Sequence, residues 1–218
     1  MKAVLAIFLK APRRGAVKTR LIPALGAAAA ARLYRALAEA VVAATRPGPD
    51  GYDRLFFFTP AEARAEMEAW FPGQAWIAQE GADLGARMSS AFAEAFRRGA
   101  DRVAIVGSDV PGLSRDDVGL ALASLADHDL VLGPARDGGY YLIGLRQRLP
   151  ALFEGVAWGT GSVFAATLET AAALGLSVRV LEERRDIDTL EDVRAEWDRL
   201  RPLLDGALAE ELARTLGR

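Results

Sequence analysis

Two acidic stretches and one basic loop carry the side chains best suited to chemistry. Gly107-Ser108-Asp109-Val110-Pro111 and Asp186-Ile187-Asp188-Thr189 bring carboxylates to the second half of the chain, while residues 10–21 bring Lys10, Arg13, Arg14, Lys18 and Arg20. Carboxylates suit Mg²⁺ or Mn²⁺, hard cations that retain waters or take phosphate oxygens as further ligands. Lysine and arginine suit the phosphates themselves. The combination points to a metal-bound nucleotide.

The basic loop lies between an expected first strand and first helix, the edge of an open α/β sheet where ligands settle. Gly15 lets the backbone come close to a ligand or take a positive φ. Val17 stands directly before Lys18 where a Walker loop needs glycine, so a P-loop phosphotransferase is disfavoured. The plain alternative is a solvated basic loop. Asp109 follows the apolar run 102–107 and would stand at a strand end, with Ser108 before it and Val110-Pro111-Gly112 stopping the strand. Alone it reads equally as a turn former. Asp186 and Asp188 also follow an expected strand and precede a helix. Taking the two as pointing to opposite sides, at most one faces Asp109; Asp188 is preferred, then Asp186. Helix capping by Asp188-Thr189 explains the pair as well.

Three further segments could form a rim. Asp137-Gly138-Gly139-Tyr140-Tyr141 places a carboxylate and bare backbone before a strand, which a tight turn explains without a ligand. The functional reading sets Asp137, Gly138 and Gly139 against an acceptor or sugar, with Tyr140 offering a hydroxyl or a stacking face and Asp137 the candidate acceptor-side base. Trp158 could stack on the same ligand or serve the core. Residues 79–88 open into a helix, and Gly81 and Arg87 read either as nucleotide contacts or as a turn with an exposed arginine. His128, the single histidine, lies in a helix-to-strand turn, which disfavours a histidine triad or a zinc site.

The elements that must position these residues alternate along 218 residues. Apolar β-branched and aromatic runs at 3–9, 54–59, 75–79, 102–107, 130–133, 140–145 and 177–181 read as strands buried on both faces. Helical periods cover 27–44, 61–70, 84–98, 114–126, 161–174 and 190–204, with a final amphipathic helix in 202–218. Ser114 with Asp116 and Asp117 makes a helix start. Pro47-Gly48-Pro49-Asp50-Gly51 reads as a turn, so the expectation is a single domain over 1–218. Hydrophobic residues make up 51% and charged residues 26%, and the net charge is -2, which gives no field to attract nucleic acid. The absence of cysteine excludes disulfides, thiolate metal sites and cysteine nucleophiles. Lys10 and Arg13-Arg14 interrupt the first apolar run where a signal peptide would continue. No uninterrupted apolar stretch suggests a membrane span. A cytoplasmic location is expected, and self-association is left open.

The order and spacing of residues 10–21, 79–88, 107–111, 137–144 and 186–189 resemble the GT-A superfamily of nucleotide-diphospho-sugar transferases. They are most similar to a bacterial family of small transferases, the radical-SAM/selenodomain-associated transferase 1 type (DUF2064), some of them named for arsenosugar biosynthesis. The resemblance implies a three-layer α/β/α GT-A fold with a mixed, mostly parallel sheet. It implies a nucleotide held by Lys10, Pro12, Gly15, Lys18, Thr19 and Arg20, with Gln79, Gly81, Arg87 and Ser108. It also implies Mg²⁺ or Mn²⁺ at Asp109, completed by Asp188 or Asp186. Glycine at position 107 replaces the first acid of the usual Asp-x-Asp motif. The activity implied first is sugar transfer from a nucleoside diphosphate sugar to a small acceptor. The same pattern is similar to guanylyltransferases of molybdenum-cofactor or phospholactate metabolism, in which Lys18 and Arg20 would lie along a triphosphate. The third alternative is a nucleotide-binding protein without catalysis.

Overall fold

The computed structural model describes residues 2–49 and 51–218, so Asp50 of the expected turn lies outside the described residues. Among the described residues the alternation becomes one sheet of seven strands: β1 (Ala3–Lys10), β2 (Asp53–Thr59), β3 (Trp76–Ala78), β4 (Arg102–Val106), β5 (Leu130–Pro134), β6 (Tyr140–Leu145) and β7 (Val178–Val180). Their order is β3-β2-β1-β4-β6-β5-β7. Only β6 runs against its neighbours, antiparallel to both β4 and β5; the other pairings are parallel. The fold is the mixed, mostly parallel α/β sandwich that the sequence implied.

Period two divides the side chains of β1 between the faces. Leu5, Ile7 and Leu9 join Phe56 and Phe58 under α1 (Ile22–Ala44), α2 (Arg64–Trp70) and α4 (Arg115–Ser124). Val4 and Ala6 join Phe57, Ile105 and Ile143 under α3 (Leu84–Arg97) and α5 (Val163–Ala173). A further cluster packs the far side of α1, through Leu33 and Leu37, onto α6 (Leu190–Ala195), α7 (Trp197–Leu200) and α8 (Gly206–Leu216). Burial between two layers explains why α1 is so rich in alanine and leucine. The helical run Thr19–Ala44 has the length and composition of a membrane span, and half of its most apolar window is buried inside the protein.

Gly26 takes a non-helical φ of 76°, so the regular part of α1 begins just after it, where the sequence placed the helix start. Two boundaries differ from expectation. The expected continuous helix over 190–204 is broken into α6, α7 and a 3-10 turn at Arg201–Leu203, where Pro202 withholds an amide donor. Strand β4 ends at Val106, so Gly107, Ser108 and Asp109 already lie in the crevice loop before Pro111.

Candidate active site at the strand ends

Lys18 is the centre of the constellation. Its Nζ donates to Asp109 Oδ2 at 2.8 Å and to Asp188 Oδ1 at 2.9 Å, and its side chain is only 4% exposed. Burial alone would lower its pKa, but the two carboxylates outweigh that and raise it, so the ammonium stays charged. Burial likewise pushes Asp109 upward, yet the charge and hydrogen bond of Lys18, with the charge of Lys10, hold it below the usual range. Arg20 Nη1 approaches Asp188 Oδ2 at 3.6 Å from an exposed position.

Local structure holds each partner in place. Ser108 is buried behind Asp109, and its Oγ shares a hydrogen bond of 3.0 Å with the hydroxyl of Tyr34 from α1. That hydroxyl also accepts the Lys10 backbone N–H at 2.7 Å; burial pushes its pKa up to about 12, so it keeps its proton. Asp188 precedes a capping box in which Thr189 and Asp192 satisfy each other's backbone amides, and Asp192 also accepts from Arg185 at 2.7 Å. Asp192 therefore serves the helix start.

The expectation that Asp186 and Asp188 point to opposite sides is corrected. Residues two apart in an extended segment share a side, and the residue between them points away. Ile187 is that residue: it is fully buried among Leu21, Leu33 and Trp197, and its N–H donates to the Asp109 carbonyl at 3.1 Å. Asp188 shares Lys18 with Asp109, and Asp186 lines a cavity with Asp109.

Two cavities meet there. One of about 330 Å³ is lined by Lys10, Lys18, Gln79, Arg87 and Ser108; the other, of about 220 Å³, by Asp137, Gly139, Tyr140, Trp158 and Asp186. Leu84, Gly107 and Asp109 belong to both walls. A larger cavity of about 490 Å³ lies away from the carboxylates, beside α3 and lined by Phe57, Ile77, Arg97 and Arg148.

The basic loop is less available than its composition implied. Arg13 is bound to Glu62 and Glu66 at the start of the α2 region, and Lys18 is bound to the two aspartates. Arg14, Gly15, Thr19 and Arg20 are exposed, Pro12 is half-buried, and Lys10 is exposed at its cavity wall. Gln79 anchors its amide on the Phe57 carbonyl at 3.2 Å. The turn expected at residues 81 and 87 is present, with Arg87 half-buried instead of exposed. Arg87 Nε closes the turn on the Gly81 carbonyl at 3.2 Å and also lines the cavity, while a side chain at Gly81 would collide with the backbone of residues 86 and 87.

On the other wall, Asp137 Oδ1 accepts from the Gly139 N–H at 2.9 Å, the tight turn that the sequence offered as the plain explanation. Gly138 has a φ of 87°, and a Cβ there would collide with the Gly161 carbonyl, so this glycine serves the approach of two loops. Trp158 stands edge-on to Tyr140 and packs over Gly85, where a Cβ would meet the indole. His128 Nδ1 lies 3.0 Å from the Ser124 carbonyl at the turn after α4.

Asp109 and Asp188 are paired with Lys18, with Lys10 and Arg20 near them, whereas the charges acting on Asp186 are those of other carboxylates. Burial, then the charges of Asp109, Asp137 and Asp188, push the Asp186 carboxyl up to about 7. Hard oxygen donors with uncompensated negative charge fit Mg²⁺ or Mn²⁺. Among the described residues no group of three acidic, histidine or cysteine side chains is close enough to hold a metal, and the sequence asked only for Asp109 with one of Asp188 and Asp186. Lys18 lies between Asp109 and Asp188, so phosphate oxygens would have to complete the coordination.

Tyr34, Leu84 and Arg185 were not singled out by the sequence. Tyr34 left one signal, a lone hydroxyl in an alanine-rich helical stretch. Leu84 and Arg185 left none.

Residues 42–160 match the bacterial family described as "Uncharacterized protein conserved in bacteria (DUF2064)". The chain belongs to the DUF2064 family. This DUF2064 protein is 30% identical over 170 residues to a phosphoenolpyruvate guanylyltransferase of Chloroflexus aggregans, covering 75% of this chain and 81% of that one. It is 33% identical to a crystal structure from Desulfovibrio desulfuricans G20, described as a candidate nucleotide-diphospho-sugar transferase, with a TM-score of 0.88 over 100% of this chain and 96% of that one. A Mycobacterium tuberculosis glucosyl-3-phosphoglycerate synthase, solved with Mn²⁺ and UDP, matches at 12% identity and a TM-score of 0.52, over 99% of this chain and 78% of that one. That likeness shows the fold alone. The DUF2064 protein thus has a nucleotide-binding transferase fold.

Proposed function

We propose that this protein is a metal-dependent nucleotidyltransferase that joins a nucleoside monophosphate to a small phosphorylated acceptor and releases pyrophosphate. The observation that carries the reading is the meeting of two cavities at Asp109, one walled by Lys10, Lys18 and Arg87, the other by Asp137, Asp186, Tyr140 and Trp158. A triphosphate suits the first wall and a compact acceptor the second. The guanylyltransferase relative makes GTP and phosphoenolpyruvate the first substrates to test.

In this reading an ionised phosphate oxygen of the acceptor attacks the α-phosphorus of the triphosphate. The bond from that phosphorus to its β-bridging oxygen breaks, and the electron pair leaves with pyrophosphate. A phosphate acceptor brings its own ionised oxygen at neutral pH, so no side chain has to remove a proton. Asp137 then shapes the acceptor wall through its turn with Gly139 instead of acting as a base. Lys10 and Arg87 stabilise charge on the phosphates, the preorganised electrostatic contribution that dominates many such transfers. Asp109 with Asp188, or in its place Asp186, and with phosphate oxygens, would hold Mg²⁺ or Mn²⁺, which supplies Lewis-acid stabilisation of the phosphoryl oxygens.

Sugar transfer is the second reading. It is supported by the whole-length likeness to the Desulfovibrio protein and by the aromatic wall of Tyr140 and Trp158, which suits a sugar face. The decisive assay supplies Mn²⁺ with GTP, CTP or UTP and phosphoenolpyruvate, and in parallel with UDP- and GDP-sugars. Pyrophosphate release that depends on the phosphorylated acceptor is expected. Release of a nucleoside diphosphate from a sugar donor, with no triphosphate consumed, would replace this reading by the second.

A further inference from the structure

Lys18 is the only non-glycine among the described residues with a positive φ, 48°, in the left-handed region. This conformation is uncommon for a side-chain-bearing residue. It turns a basic loop residue inward, so that the ammonium fills the gap between Asp109 and Asp188 at 2.8 and 2.9 Å. These are two of the oxygen donors on which a divalent cation would depend. A dication approaching them meets a buried positive charge of the same sign with little solvent to screen it. The same lysine also lines the cavity suited to the triphosphate, so phosphate groups offer its ammonium an alternative set of oxygens.

We propose that Lys18 is an internal counter-ion that keeps the divalent cation out of the empty site and yields Asp109 and Asp188 to it only when nucleotide phosphates draw the ammonium away. Nucleotide and metal are then thermodynamically coupled: each raises the affinity for the other, and by linkage the two enhancements are equal. The bare protein binds the metal weakly, whereas the nucleotide complex binds it well. Gly15, with a φ of 81° and open space around it, gives the loop freedom to re-aim Lys18. The inference rests on the reading of the site as a nucleotide and metal site, but not on whether a nucleotidyl group or a sugar is transferred.

The test is Mn²⁺ binding, read by the free-ion electron paramagnetic resonance signal and by calorimetry, with no turnover required. It is made on the wild-type protein alone and with saturating non-hydrolysable GTP, CTP and UTP analogues and GDP- and UDP-sugars. The expected result is a nucleotide-dependent gain in Mn²⁺ affinity of roughly 5- to 150-fold, the usual range of coupling between two sites. Lys18→Met should bind Mn²⁺ alone more tightly than wild type and show a smaller gain with nucleotide than wild type does, the remaining gain coming from the phosphate oxygens that ligate the metal directly. Equal Mn²⁺ affinity in wild type with and without a bound nucleotide would overturn the counter-ion role while leaving the nucleotide site standing. Failure of every nucleotide to bind would overturn both. Should Lys18→Met fold poorly, Lys18→Gln and the wild-type coupling decide the matter by the same criteria.

Discussion

The N–H of Ile187 donates to the carbonyl of Asp109 at 3.1 Å, tying the loop after β4 to the segment before α6. The two acidic stretches, far apart in sequence, thereby form one backbone unit, and Lys18 closes it from a third segment. Anything that loosens this unit is felt first at the carboxylates.

Replacing Asp186 by asparagine should stabilise the metal-free protein at alkaline pH. The folded carboxyl holds its proton up to about 7, above the ordinary aspartate value, so the folded state binds more protons than the unfolded one between those pH values. Stability from this group is full at low pH and falls as pH rises towards 7. Thermal melts of the two proteins should coincide near pH 3.5, separate as pH rises, and differ by a constant amount above about 8. Saturating Mn²⁺ and nucleotide should narrow the gap by stabilising wild type more than the variant. Parallel curves at every pH would show that Asp186 is not raised.

Tyr34→Phe removes the hydroxyl that accepts from Lys10 and meets Ser108. An unsatisfied buried partner costs about 1 to 3 kcal/mol. Urea unfolding should show a loss of that size, and the KM for nucleotide should rise more than kcat falls, because Lys10 and Ser108 line the nucleotide cavity. An unchanged midpoint with unchanged KM would show that this network does not position the loop.

Gly138→Ala should damage acceptor use selectively. A methyl group there strikes the Gly161 carbonyl, and the φ of 87° disfavours any L side chain. Calorimetry should find nucleotide affinity preserved, while kcat/KM for the acceptor drops at least about tenfold, a barrier increase of about 1.4 kcal/mol. Equal losses on both substrates would mean that the two cavities are not separable.

Thr189→Ala removes one half of the capping box behind Asp188 and should cost about 0.5 to 2 kcal/mol of stability. Asp188 loses its fixed exit into α6, so turnover should fall further than the stability loss alone accounts for. A serine at the same position should restore both. Activity that survives in the alanine variant would detach the cap from the site.

The alternation of buried strands and helical periods was legible because it is local: each strand lies within about a residue or two of its expected range, and the caps at Ser114 and Thr189 are short-range hydrogen bonds. The expectation that Asp109 and a later aspartate stand at one edge came from a rule about strand ends, and Lys18 bridges Asp109 and Asp188 there. What could not be read was pairing over distance. Lys18 looked like a phosphate ligand because nothing near it in sequence marks the partners supplied by residues 109 and 188, and Arg13 looked free until α2 brought Glu62 and Glu66 beside it. The reversed direction of β6 is likewise invisible in its apolar run, which pairs equally well either way.

That reversal has an evolutionary consequence. Because β6 turns back directly after β5, the connection holding Asp137, Gly138 and Gly139 is a hairpin at the same edge as the ends of β1 and β4. Apart from Gly138, which is held against Gly161, its residues can change without moving a strand or touching the loop that carries Lys10 and Lys18. On the proposed reading, relatives sharing this scaffold would exchange one acceptor for another by altering a few residues of one hairpin, with the nucleotide side inherited intact.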